Sequence, residues 1–183
     1  MARILVTGGV RSGKSRYAES LLDPAAPAVY LTPGYPADPA ADAEWAARVA
    51  AHRERRPIPW QTVETLTLAD AIADATAPVL VDCLGTWLTR LLDQWQAWEA
   101  ESVQWQDTLD AEVAALARAV ATSPDVVVVT NEVGWGLVSQ YRSGRVFADQ
   151  LGRINQAVGA VCDEVVLMVA GRPLRLPDAD RPR

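Results

Sequence analysis

The sequence predicts an α/β domain: a mostly parallel sheet of about six or seven strands with helices on both faces. Three observations carry this. Short apolar runs alternate with segments of helical period along all 183 residues, with no repeat, low-complexity block or linker between them. The clearest runs, Val79-Leu80-Val81 and the four valines from Val126 to Val129, show no polar alternation, as strands covered on both faces require. The first run passes straight into a glycine-rich turn that opens a helix.

The elements follow in order. Arg3 to Thr7 is a strand, and Lys14 to Leu22 a helix. Ala28 to Thr32 is a second strand, stopped by Pro33-Gly34, and the proline-rich stretch Pro33 to Pro39 is a loop. Ala40 to Glu54 is a helix with Trp45 and Val49 on one face, broken by Pro57 and Pro59. Trp60 to Val63 is a short strand, and Leu66 to Ala73 a helix. Val79 to Val81 is a buried strand ending on Asp82. Leu84 to Glu99 is a helix carrying Trp87, Leu91, Trp95 and Trp98, a stripe that belongs to the core or to a subunit contact rather than to a ligand cage. A second long helix spans Ser102 to Ala121. Asp125 to Thr130 is a strand, Gly144 to Cys162 a helix and Glu164 to Val169 the last strand, after which the Pro- and Arg-rich tail from Gly171 frays.

Composition narrows the function. The chain is half hydrophobic and 22% charged, with 17 basic against 23 acidic residues and a net charge of −6. Such a chain repels a nucleic-acid backbone, though a local cationic pocket for a small anion remains open to it. Cys83 and Cys162 lie far apart and form no C-x-x-C pair, and no signal peptide is evident, so free thiols in the cytoplasm are expected. No apolar run approaches the roughly 20 residues of a membrane span. One domain over residues 1–183 is expected. Of the 17 basic residues, Lys14 alone is lysine and the rest are arginine, and His52 is the single histidine. A lysine that survives such a bias sits where a compact ammonium is needed and a planar guanidinium will not serve.

Lys14 falls in Gly8-Gly9-Val10-Arg11-Ser12-Gly13-Lys14-Ser15, which fits G-x-x-x-x-G-K-[ST]. Glycines let backbone N–H groups curl around phosphate, and the following helix N-terminus adds partial positive charge. Lys14 is placed to reach the β- and γ-phosphates and the Ser15 hydroxyl to hold Mg²⁺. A strand before the motif and a helix after it make this a P-loop NTPase fold, of the RecA-like kind. A P-loop enzyme also needs a carboxylate at a neighbouring strand end. Asp82 is preferred over Glu132 because its strand ends directly on it. No N-K-x-D guanine motif is present, which argues against a regulatory GTPase switch. His52, in His52-Arg53-Glu54-Arg55-Arg56-Pro57, reads on residue chemistry alone as a solvated helix-end histidine, although a neutral imidazole is a competent nucleophile towards phosphorus. On these residues three readings stand: a P-loop enzyme in which His52 acts as a nucleophile towards phosphorus, another small-molecule P-loop kinase in which His52 is incidental, and a nucleotide-binding regulatory module.

Further motifs favour the first. Ile4-Leu5-Val6-Thr7 with the P-loop and Arg16, Ala47-Arg48-Val49, His52, Arg56-Pro57, Trp60, Thr62, Glu64, Val128-Val129-Thr130-Asn131-Glu132-Val133-Gly134, Arg145, Phe147, Asp149, Gly152, Asn155-Gln156 and Val169-Ala170-Gly171 span nearly the whole chain. With them the sequence resembles the bifunctional adenosylcobinamide kinase/adenosylcobinamide-phosphate guanylyltransferase family of cobalamin biosynthesis. The resemblance implies phosphorylation of adenosylcobinamide by ATP or GTP, then transfer of GMP from GTP to the phosphate through a guanylylated histidine. His52 occupies that histidine's position, which reverses its residue-level reading, and Lys14 joins it as catalytic. The resemblance also implies nucleotide contacts from Gly8 to Ser15, Thr32-Pro33-Gly34, Arg53-Glu54-Arg55-Arg56, Glu64 and Asp82, with Mg²⁺ at Ser15 and Asp82. It implies a cytoplasmic homo-oligomer, a trimer. The segment Pro33 to Asp42 departs from the family pattern in being longer and richer in proline.

Overall fold

The computed structural model describes residues 2–177. Seven strands form one sheet: β1 (Arg3–Gly8), β2 (Ala28–Thr32), β3 (Trp60–Glu64), β4 (Val79–Asp82), β5 (Val126–Val129), β6 (Glu164–Val169) and β7 (Arg172–Leu176). Six helices join them: α1 (Lys14–Ser20), α2 (Ala43–Glu54), α3 (Leu68–Ala73), α4 (Leu84–Gln94), α5 (Gln106–Thr122) and α6 (Arg142–Gly159). The strand order is β3-β2-β4-β5-β1-β6-β7. Every pairing is parallel except β6 with β7. The expected mostly parallel α/β sheet is therefore present. β5 lies between the P-loop strand β1 and the Asp82 strand β4, so the C-terminal ends of all three open on one edge of the sheet, where ligands of open α/β sheets bind.

Strand alternation sorts the core into two layers. Leu5, Leu31, Val79, Val81, Val126 and Val128 face the larger one, with α3, α4, α5 and α6. Val6, Tyr30, Leu80, Val127 and Val129 face the other, where Ala18 and Leu22 from α1 and the chain after it close the sheet. The tryptophan stripe is core: Trp87 is buried and donates its indole N–H to the Leu66 carbonyl at 2.9 Å.

Helix ends shift by a few residues in several places, and four of the differences from expectation have a clear local reason. α4 stops at Gln94 because Gln96 takes a left-handed φ of 52°, with Gln96 N–H on the Asp93 carbonyl and Ala97 N–H on the Leu92 carbonyl. That is a Schellman closure, and it leaves Trp98 beyond the helix, its indole N–H on the Asp93 carboxylate. α2 starts at Ala43, because the Asp42 carboxylate caps it by accepting the Trp45 N–H at 2.8 Å. The long helix expected from Ser102 opens as a 3₁₀ turn over Ser102–Gln104. The fourth difference is a correction: the tail from Gly171 does not fray at once. Ala170 and Gly171, at φ 51° and 76°, make a tight turn, and Arg172–Leu176 returns as an antiparallel edge strand. Pro173 is tolerated there because an edge strand need not donate every N–H. Residues 178–183 of that tail lie outside the described residues.

Candidate active site

The P-loop connects β1 to α1 through left-handed backbone at Arg11 (φ 56°) and Gly13 (φ 95°). Gly8 is required by crowding: a Cβ there would lie 2.7 Å from Ser12 Oγ and 2.8 Å from the Met168 carbonyl. Backbone ties fix the loop from outside, with Glu132 N–H on the Gly8 carbonyl at 3.1 Å and Gly171 N–H on the Ser12 carbonyl at 3.0 Å. Lys14 opens α1, is 9% exposed, and donates from Nζ to the Gly9 carbonyl at 3.0 Å. Burial, the largest influence, pulls its pKa below the ordinary lysine value; Cys83 and Asp82 push the other way and Arg48 adds to the lowering.

Asp82, at the end of β4, faces both a phenol and an imidazole. Tyr30, fully buried on β2, donates its hydroxyl to Asp82 Oδ2 at 2.8 Å, and His52 Nδ1 lies 3.6 Å from the same oxygen. The Arg56 guanidinium stacks 4.0 Å over the Tyr30 ring and donates to Thr62 Oγ1 at 2.8 Å. The His52 side chain is one-third exposed. Burial draws its pKa below the ordinary imidazole value, ahead of the opposing pull of Asp82, so the ring is neutral at pH 7. Burial first, and then Asp82, holds the Tyr30 phenol well above its ordinary value, so it stays a donor. Arg53 pairs with Glu64 at 2.5 Å.

These groups converge on one cleft of about 390 Å³ at the C-terminal edge of the sheet. Of the residues singled out from sequence, Val10, Lys14, Ser15, Thr32, Gly34, His52, Arg53, Arg56, Glu64 and Asp82 line it. Gly8, Gly9, Arg11, Ser12, Gly13 and Pro33 do not line it but belong to the loops that shape it; Glu54 is exposed and Arg55 turns away to Glu19 at 3.3 Å. Glu132 offers its backbone to the loop and does not line the cleft. Sequence reading gave no site role to Tyr30, Tyr35, Arg48 and Asn131, all on the wall. Arg48 and Trp45 were legible as cleft residues: both stand at helical spacing from His52 on α2.

Three buried donors, Thr7 Oγ1, Ser12 Oγ and Arg56 Nε, have no hydrogen-bond partner among the described residues, and of their residues Arg56 lines the cleft, where an oxygen-rich anion would satisfy it. Among the described residues no group of three His, Cys, Asp or Glu side chains could hold a metal by itself. The hard-oxygen pair that reaches the cleft, the Ser15 hydroxyl and the Asp82 carboxylate, suits Mg²⁺ shared with nucleotide phosphates. No described helix is long and apolar enough to cross a membrane.

Fold and site together define a P-loop nucleotide-binding protein with a neutral histidine set beside its phosphate loop. Comparison with known proteins narrows this. The family described as cobinamide kinase / cobinamide phosphate guanyltransferase matches residues 4–176. The bifunctional adenosylcobalamin biosynthesis protein CobU of Salmonella typhimurium is 40% identical over 180 residues, covering 92% of this chain and 96% of that protein. Its counterpart in Escherichia coli is 38% identical over 179 residues, with the same two coverages. The protein CobP of Pseudomonas aeruginosa is 38% identical over 182 residues, covering 95% of this chain and 96% of that one. The chain belongs to the cobinamide kinase / cobinamide phosphate guanyltransferase family.

Proposed function

We propose that the chain, as a single domain over residues 1–183, catalyses both reactions of its family. It moves the γ-phosphoryl group of ATP or GTP to the side-arm hydroxyl of adenosylcobinamide, then GMP from GTP to the resulting phosphate, giving adenosylcobinamide-GDP. The observation that carries the second activity is the His52 imidazole in the same cleft as Lys14, with Nδ1 3.6 Å from Asp82. A pure kinase has no use for a nucleophile there.

In the kinase step the P-loop N–H groups and Lys14 hold the β- and γ-phosphates while the acceptor hydroxyl attacks the γ-phosphorus, nucleoside diphosphate leaves and the hydroxyl proton passes to solvent or base. In the guanylyl step the field of Asp82 keeps the imidazole proton on Nδ1, leaving the Nε2 lone pair for the α-phosphorus. The N–P bond forms, the P–O bond to pyrophosphate breaks, and Lys14 with the P-loop steadies the departing charge. An oxygen of the acceptor phosphate then attacks the same phosphorus, the N–P bond breaks and the imidazole returns. Mg²⁺, held by Ser15 and Asp82, would supply charge neutralisation at the phosphates. Arg53 and Arg56, on the wall beside His52, would take the α-phosphate oxygens. Thr32, Gly34 and Glu64 complete the nucleotide wall. Family likeness carries two further parts of this reading, a homotrimer and a cytoplasmic location.

The test is incubation with α-labelled GTP and Mg²⁺, then a denaturing gel and mass spectrometry. Label should map to His52, be acid-labile and alkali-stable, and vanish in His52→Ala while γ-phosphoryl transfer to adenosylcobinamide persists. Guanylyl transfer surviving in His52→Ala, or label on Lys14, refutes the mechanism.

A further inference from the structure

A second concavity of about 460 Å³ opens beside the nucleotide cleft, walled by Tyr35, Pro36, Trp45, Thr86 and Thr89. It is continuous with that cleft, since Tyr35, Trp45, Thr86 and Thr89 line both. Its two aromatic walls are fixed from behind. Gly34 lets the Trp45 indole lie directly on the chain, because a Cβ there would stand 2.9 Å from the ring. The indole N–H donates to the Tyr35 carbonyl at 2.9 Å, and the Tyr35 hydroxyl donates to Asp93 at 2.6 Å. Arg90 stacks 5.1 Å over the Tyr35 ring and donates to the Gly34 carbonyl at 3.1 Å. The polar ends of both aromatics are thus consumed in holding the loop to α4 and α2.

Charge and geometry decide what fits. Among the described residues the only charged ones on this concavity are Asp38 and Asp42, and none that lines it is basic, so it repels the phosphates of a nucleotide. On α2, Trp45, Val49 and His52 follow at i, i+4 and i+7, which puts the indole about 10 Å along the helix from the imidazole. Arg48 stands between them on the cleft wall and forms no ion pair with a described residue. We infer that the Tyr35–Trp45 concavity is the acceptor subsite: it takes one flank of the flat, amide-fringed corrin macrocycle, while Arg48 holds the phosphate of its side arm against His52. This rests on the proposed guanylyltransferase reading and adds to it the place and contacts of the acceptor.

The experiment uses adenosylcobinamide phosphate as acceptor, with His52 labelling by GTP measured separately. Trp45→Ala should raise the half-saturating acceptor concentration by about tenfold or more, and by a factor at least fivefold larger than any rise for GTP in the labelling step. Trp45→Phe, which keeps an apolar ring, should recover most of the loss. Equilibrium dialysis with cobinamide alone should show the same weakening without any turnover. A GTP effect as large as the acceptor effect would place the nucleobase in the concavity and overturn the inference. Unaltered cobinamide binding by Trp45→Ala would overturn it too. Parent enzyme that takes no label from GTP refutes the guanylyltransferase reading instead, and the dialysis still decides whether the concavity binds the corrinoid.

Discussion

Tyr30→Phe removes one oxygen from the interior and leaves everything else in place. The ring keeps its tilt on Trp60, with centroids 6.3 Å apart, and still lies under Arg56. What disappears is the 2.8 Å donation to Asp82 Oδ2, an acceptor whose side chain is only 10% exposed. A hydrogen bond to a charged group contributes about 1.5–3 kcal/mol, and the orphaned acceptor cannot fully recover it from water. For a chain of this size that is a fall in Tm of about 3–12 °C. Urea unfolding at pH 7 on the parent, Tyr30→Phe, Asp82→Asn and the double variant closes the cycle. The cost of losing the hydroxyl should drop to about 0.5–1.5 kcal/mol in the Asp82→Asn background, where the acceptor is neutral. An equal cost in both backgrounds, or a cost under about 0.5 kcal/mol in the parent, would refute the charge-assisted contact.

Other outcomes follow from the same geometry. Lys14→Arg should lose both transfer steps by about a hundredfold or more in kcat/KM, because a planar fork cannot enter the 9%-exposed slot where Nζ meets the Gly9 carbonyl; near-parent kinetics would undo the P-loop assignment. Asp82→Asn should depress transfer well below Glu132→Gln, since only Asp82 reaches the cleft, and the reverse ranking in steady-state assays would exchange their roles. Gly34→Ala should displace the Trp45 indole, costing about 1 kcal/mol in denaturant unfolding with a shifted tryptophan emission. Burial, with Asp163 adding to it, pushes the Cys162 thiol up to about 12. Iodoacetamide at pH 8 should therefore modify it about a thousandfold more slowly than a free thiol. Its folded pKa is raised, so its contribution to stability is present below about pH 8.5 and lost as pH climbs towards 12. Alkaline unfolding should be less steep in Cys162→Ala.

Much of this was legible because burial writes itself into sequence. β4 and β5 are covered on both faces, so their residues carry no polar alternation, and the P-loop opens on Gly8, which the close approach of Ser12 and Met168 demands. β7 was illegible for the opposite reason. All five of its residues are exposed, so nothing selects an apolar pattern, and Pro173 reads as a breaker until the edge position is known. The end of α4 was hidden because the tryptophan spacing runs on past the helix, and Gln96, which supplies the left-handed turn, is not the glycine usually found there. In the site, His52 and Asp82 were found one by one, but their meeting required the register that sets β2 beside β4. Tyr30 was legible only as part of a strand on the same account, since a lone tyrosine in an apolar strand says nothing about which carboxylate its hydroxyl will find.

β1 has a consequence for how the molecule comes into being on the ribosome. It is synthesised well before its two neighbours, β5 and β6, which lie more than a hundred residues later, and the Ser12 carbonyl gains its outside tie from Gly171. Chains emerge N-terminus first, and contacts this distant in sequence form late. The phosphate loop is thus translated well before the strands that finish it, so a nascent chain carries the nucleotide motif without the scaffold that makes it competent, and nucleotide capture is deferred until β6 and Gly171 have emerged.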